Sequence, residues 1–137
     1  MREIVLISCV SRKLNHTAKA KDLYISPLFK KNLSYAYKLN PDKIFILSAK
    51  YYLLALNKTI TPYNLTLNKM SAKEIKVWAK KAIKELRKEA NLNKDEFIFL
   101  AGENYRKFLI PETKKYKIPM KGLGIGKQLK FFTDRLK

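Results

Sequence analysis

The stretch KIFILSAKYYLLALNKTITPYNLTL, residues 43–67, decides how this chain folds. It opens as a fully apolar run, Ile44-Phe45-Ile46-Leu47, and breaks at once into Ser48-Ala49-Lys50-Tyr51-Tyr52. A short continuous apolar run bounded by such a break is the pattern of a strand buried on both faces. The break places a hydroxyl, an amine and two phenols at the strand's carboxyl end. After a brief apolar return the chain reaches Thr61-Pro62-Tyr63-Asn64. In open parallel sheets ligands occupy the crevice beyond the carboxyl ends of the strands, so this segment marks where a site belongs.

Two other runs repeat the pattern. Ile4-Val5-Leu6-Ile7 ends in Ser8-Cys9, and Phe97-Ile98-Phe99-Leu100 ends in Ala101-Gly102-Glu103. Amphipathic helices lie between them. Ser26-Pro27 is a helix start, with Ser as N-cap and Pro at the first helical position, and Asn40-Pro41 stops that helix. Ser71 and Glu74 form a capping box, followed by a stripe of Ile75, Trp78, Ala79, Ala82, Ile83 and Leu86. Residues 10–24 read as a long polar loop, 105–109 as a short helix and Ile118-Pro119 as a weak fourth strand. Gly122, Gly124 and Gly126 punctuate a turn before a last helix over 127–136. The order predicts a single α/β domain over residues 1–137. It is a three-layer α/β/α sandwich around a mostly parallel sheet of about four strands, with right-handed crossovers. All three strong strands then end on one edge, and their terminal residues become neighbours.

Composition narrows the function. Hydrophobic residues are 47% of the chain, enough for a core; Lys and Arg number 30 against 11 Asp and Glu, a formal charge of +19. That excess fits a nucleic-acid partner, DNA or RNA; compositional bias in a chain rich in Lys, Asn, Ile and Tyr is the competing explanation. The basic residues are spread along the chain rather than gathered on one amphipathic helix, which argues against a membrane surface. One cysteine excludes an internal disulfide framework and a cysteine-rich zinc site, and a single histidine argues against a His-based metal cage. No run approaches the length of a membrane span and the N-terminus lacks a signal-peptide layout, so a reducing cytoplasm is expected.

Several strand-end residues carry chemistry. Asn64, with Pro62 and Tyr63, offers an amide to a base edge or a water beside a stacking phenol; an ordinary Pro-containing turn is the plain alternative. Lys50 can hold a phosphate or stabilise a departing base, with Ser48 and Tyr51 beside it. Cys9 reads either as a nucleophile activated by Lys13 and Arg12 or as a small buried hydrophobe. Glu103 is the better placed of two acids near the expected site, Asp22 being the other. Gly124, Gly126, Lys127 and Gln128 form a glycine-punctuated helix entry whose backbone N–H groups suit a phosphate. The segment lacks both the GxxxxGK and the GxGxxG spacing.

Taken together, Ser8-Cys9 with Lys13, Asp22-Leu23-Tyr24 with Ser26-Pro27-Leu28-Phe29, Ile46 to Tyr51, Pro62-Tyr63, Trp78 and the turn from Gly122 to Gln128 resemble a small α/β family of unknown function. Its motifs run SC with a nearby K, ILSAKYGLL and PYD. The match covers nearly the whole chain. More distantly the chain is similar to the core domain of archaeosine synthase and, through it, to the uracil-DNA-glycosylase-like fold. That resemblance implies action on the N-glycosidic bond of a nucleobase or modified base, by glycosylase or base-exchange chemistry, with no cofactor and no metal. Lys50, Asn64 and Glu103 are then the catalytic candidates; Ser8, Cys9, Lys13, Ser48, Tyr51, Pro62, Tyr63 and the Gly124–Gln128 turn are the binding candidates. Two positions depart from the pattern: Tyr52 stands where it has Gly, and Asn64 where it has Asp. Asn cannot take a proton, which gives weight to a non-enzymatic DNA- or RNA-binding protein. A small-molecule nucleotide hydrolase or transferase is the third reading.

Overall fold

The structure, a computed structural model, describes residues 1–8 and 12–136. The three apolar runs become β1 (Glu3–Ser8), β3 (Lys43–Ser48) and β6 (Glu96–Leu100). β1 lies between the other two and is parallel to both, with Leu6 opposite Phe45 on one side and Phe99 on the other. The full sheet runs β4-β3-β1-β6-β7. Side chains alternate across it. Ile4, Leu6, Phe45, Leu47, Phe97 and Phe99 face α3 (Ala72–Glu89), whereas Val5, Ile7, Ile46, Ile98 and Leu100 face α2 (Pro27–Lys38) and α5 (Ile125–Arg135). This is the α/β/α sandwich, with a fully buried β1 strip, Ile4 to Ile7, at its centre.

Helix boundaries follow local chemistry. Ser26 Oγ accepts from the Phe29 N–H and Pro27 opens α2; Asn40 takes a left-handed φ of 50° just past its end. Ser71 and Glu74 close both halves of the α3 capping box.

The sheet is larger than expected. β4 (Tyr52–Ala55) folds back antiparallel on β3 and forms an edge. At the other edge the strand is β7 (Lys115–Lys117), parallel to β6, rather than Ile118-Pro119. All three β7 residues are exposed. An edge strand carrying lysines has no apolar signature and resists pairing with another chain. The span expected as a continuous loop contains β2 (Ala18–Lys19), paired antiparallel with β5 (Thr59–Ile60), and the one-turn α1 (Ala20–Leu23). The short helix after β6 starts earlier than expected, as α4 (Glu103–Arg106), and α5 starts at Ile125, so Gly126 lies inside the helix.

The β3–β4 hairpin gives Tyr52 a structural cost. Ser48 pairs with Tyr52 across a three-residue loop, and Tyr52 adopts φ 64°. Loops of this length characteristically end on a left-handed residue, normally glycine. The Tyr52 ring nevertheless packs on the α3-side core, and its hydroxyl accepts from Lys81 Nζ at 3.4 Å. Comparing Tyr52→Gly with Tyr52→Ala removes the ring in both and isolates the backbone term. The glycine variant is expected to be the more stable by about 1 kcal/mol in chemical denaturation. Equal stability would show that the left-handed geometry carries no strain.

Candidate functional site in the strand-end crevice

The chain leaves β1 through α2 to one side of the sheet, then crosses through α3 to β6 on the other side. The strand order therefore reverses at β1, and a crevice opens beyond its carboxyl end. The sequence candidates gather on this edge in two groups, one at β3 and one at β6.

The β3 group is a network of tyrosines around Ser48. Ser48 is fully buried. Its Oγ donates to the Tyr63 hydroxyl at 2.9 Å and accepts from the Tyr51 and Lys50 N–H groups at 3.0 and 3.3 Å. Its carbonyl accepts from Trp78 Nε1 at 2.9 Å. The Tyr63 and Tyr24 hydroxyls are 2.6 Å apart, and Lys13 Nζ sits 4.6 Å from the Tyr63 ring centroid. The edge of Tyr51 meets Tyr63, with ring centroids 5.7 Å apart. Ser48 and Tyr63 are therefore internal fasteners joining the strand end to the 61–64 loop. The Tyr51 hydroxyl bonds Thr61 Oγ1 at 2.9 Å; that bond, helped by the charge of Lys50, holds its pKa below the usual tyrosine value against the opposing effect of burial. Lys50 and Asn64 are exposed, Pro62 is half-buried, and Lys50 Nζ lies 5.3 Å from the Tyr51 ring centroid.

The β6 group surrounds a cavity of about 610 Å³ between the starts of α2, α4 and α5. That volume is in the range of small-ligand sites. Ser8 lies at its floor, its Oγ accepting from the Gly102 N–H at 3.0 Å. Phe29, Phe99, Leu100, Met120 and Leu129 provide apolar wall. Asn32, Asn68, Tyr105 and Gln128 supply neutral polar groups, and Glu103 and Arg106 are the ionisable acid and base among the lining residues. Arg106 is held by a bond to the Ala101 carbonyl at 2.8 Å, and Gln128 Nε2 donates to the Leu123 carbonyl at 2.8 Å. Gly124 is the N-cap of α5 and makes no side-chain cap bond.

Of the sequence candidates, Ser8, Glu103 and Gln128 line the cavity. Gly124, Gly126 and Lys127 sit at the adjoining helix start without lining it. Lys13, Ser48, Lys50, Tyr51, Pro62, Tyr63 and Asn64 lie outside the cavity's lining, at the β3 end of the same edge. Cys9 lies outside the described residues. Asn32, Tyr105 and Arg106 line the cavity and were not singled out from sequence; Phe29 entered only as part of the Ser26-Pro27-Leu28-Phe29 motif. A buried polar residue on the apolar stripe of α2 was the available signal for Asn32. Among the described residues no three His, Cys, Asp or Glu side chains gather as a metal site. Among the same residues, no helix is long and apolar enough to cross a membrane.

Searches of curated proteins and of solved structures return no match to this chain. A family profile does match, over residues 4–134, which takes in every element from β1 to α5 and both groups of the strand-end edge. The chain belongs to the family of unknown function DUF6884.

Proposed function

We propose that the protein binds a nucleic-acid strand along the carboxyl edge of its sheet, takes one base into the β6 cavity and breaks that base's N-glycosidic bond. The observation that carries this reading is the cavity itself: a nucleoside-sized, largely apolar space with one carboxylate at its rim, in a chain of charge +19. Exposed Arg12, Lys50, Lys69, Lys121 and Lys127 lie on segments bordering the same edge and suit the phosphates on either side of an extruded base. The resemblance to the archaeosine synthase core and the uracil-DNA-glycosylase-like fold is in keeping with it.

In the hydrolytic form of the reaction the C1′–N bond breaks and its electron pair leaves with the base. Water adds to C1′, and its proton passes to Glu103. Arg106 offers positive charge to the departing base. In base exchange an incoming base nitrogen takes the place of the water. A binding protein without catalysis is the second reading. The exposed Asn64, which stands in the resemblance pattern's Asp position and takes no proton, favours it.

Two measurements separate these readings. With each of those five cations on a phosphate, log K should fall against log salt with a slope of roughly −3.5 on single strands. A flat salt response would remove both nucleic-acid readings. Incubation with plain and base-modified DNA and RNA, followed by cleavage at abasic sites, should reveal base release. Salt-sensitive binding with no abasic site on any substrate would leave the binding protein.

A further inference from the structure

Among the described residues, Asn32 carries the buried side-chain polar atom that lacks a partner. It sits in the middle of α2, on the inward face shared with Phe29 and Ala36, and is only 3% exposed. Its Oδ1 is a buried acceptor with no hydrogen-bond partner among the described residues. An orphaned buried acceptor destabilises the fold, because it gives up water and receives nothing in return. Asn32 also lines the β6 cavity.

Four donor groups on the lining residues bond elsewhere. The Phe29 N–H is taken by Ser26 Oγ, Gln128 Nε2 by the Leu123 carbonyl, Arg106 Nη1 by the Ala101 carbonyl, and the Gly102 N–H by Ser8 Oγ. An unmet acceptor on a residue that lines a cavity is complementary to a ligand that brings a donor, once the amide turns toward it. Apolar Phe29, Phe99 and Leu100 around it suit a flat heterocycle, which leaves the edge of that heterocycle to supply the donor.

We propose that Asn32 is the specificity-determining residue of the cavity, its carbonyl oxygen accepting from an N–H on the edge of the bound base. The inference rests on the base-binding reading given above and adds the rule by which bases are chosen. A base that presents an N–H there completes the amide's hydrogen bonding. One that lacks it leaves the acceptor orphaned, and sites of this kind reject such analogues strongly.

The test is calorimetric titration of the full chain with uridine, guanosine, adenosine and cytidine. Each is paired with an analogue whose N–H is blocked: 3-methyluridine, 1-methylguanosine, N6,N6-dimethyladenosine and N4,N4-dimethylcytidine. The nucleoside bound most tightly should lose about tenfold or more in affinity on methylation. In Asn32→Leu that ratio should fall to about one, through weaker binding of the parent nucleoside. A ratio that persists in Asn32→Leu reports a steric clash of the methyl group and overturns the proposal. So does nucleoside binding that ignores methylation in the parent chain, and this outcome leaves the base-binding reading standing. A chain that binds polynucleotide but none of the nucleosides removes the base pocket and the proposal together. The parent-chain comparison decides the matter even if Asn32→Leu does not fold.

Discussion

Glu103→Gln should lower the rate of base release by about 10²- to 10⁴-fold, the range over which a positioned general base acts, while nucleic-acid affinity stays within a few-fold of the parent. Glu103 is the carboxylate among the residues lining the cavity and opens α4. The backbone just before it is tied to the end of β1, because the Gly102 N–H donates to Ser8 Oγ. Glutamine keeps the length of the side chain and can still hold a water through its amide. In the proposed hydrolysis it cannot accept the proton that water loses as it adds to C1′. The expected signature is therefore a fall in kcat with little change in KM. Glu112→Gln is the matching control: Glu112 is exposed, pairs with Arg87 at 3.5 Å and lies outside the cavity's lining. Measured by the yield of abasic sites on the best substrate, activity of Glu103→Gln within tenfold of the parent would exclude Glu103 as the base. Activity lost equally in Glu112→Gln would point to charge rather than to position.

Trp78→Ala should produce the largest loss of stability, about 3–5 kcal/mol for deletion of a buried ring, or roughly 10–20 °C in Tm for a domain of this size. Trp78 is 4% exposed on the inner stripe of α3 and packs edge-on to Tyr105, with ring centroids 5.7 Å apart. Its indole N–H satisfies the carbonyl of fully buried Ser48. The substitution therefore opens a void and orphans a backbone acceptor at the end of β3. Trp78→Phe keeps most of the ring volume and loses the donor, so it should cost less, about 1–3 kcal/mol. The two variants separate packing from hydrogen bonding in urea or thermal melts. If Trp78→Phe is as damaging as Trp78→Ala, the bond to Ser48 dominates; if it matches the parent, the bond contributes nothing measurable. Because Trp78 touches Ser48 in one group and Tyr105 in the other, Trp78→Ala should also loosen both ends of the strand edge.

The elements legible in the sequence are those specified by neighbours along the chain. Ile4 to Ile7, Phe45 to Leu47 and Phe97 to Leu100 are apolar on both faces because they are buried on both faces. Ser26-Pro27 and the Ser71–Glu74 box name their helix starts through bonds spanning three residues. The polar breaks at Ser8, Ser48 and Gly102 marked the carboxyl edge, since three parallel strands must end on one side. The edge strands escaped notice for the opposite reason. β7 is Lys-Tyr-Lys, exposed throughout, and carries no periodicity, while β4 depends on a hairpin whose turn residue is Tyr52 rather than the glycine such a turn favours.

The functional edge divides along the same line. Sequence determined that hydroxyls, amines and a carboxylate would collect at the strand ends, because residue type and position after a buried run are local facts. Only the tertiary structure decided how they are shared out. Strand order put β1 between β3 and β6, so Ser48 and Tyr63 became a fastened network on one side, and Ser8 and Glu103 came to border a cavity on the other. Asn32 shows the difference most sharply. In sequence it is one polar residue in a helix. Whether its amide meets a partner depends on residues as far off as Gln128, 96 positions away, and the donors of Phe29, Gln128, Arg106 and Gly102 named above bond elsewhere.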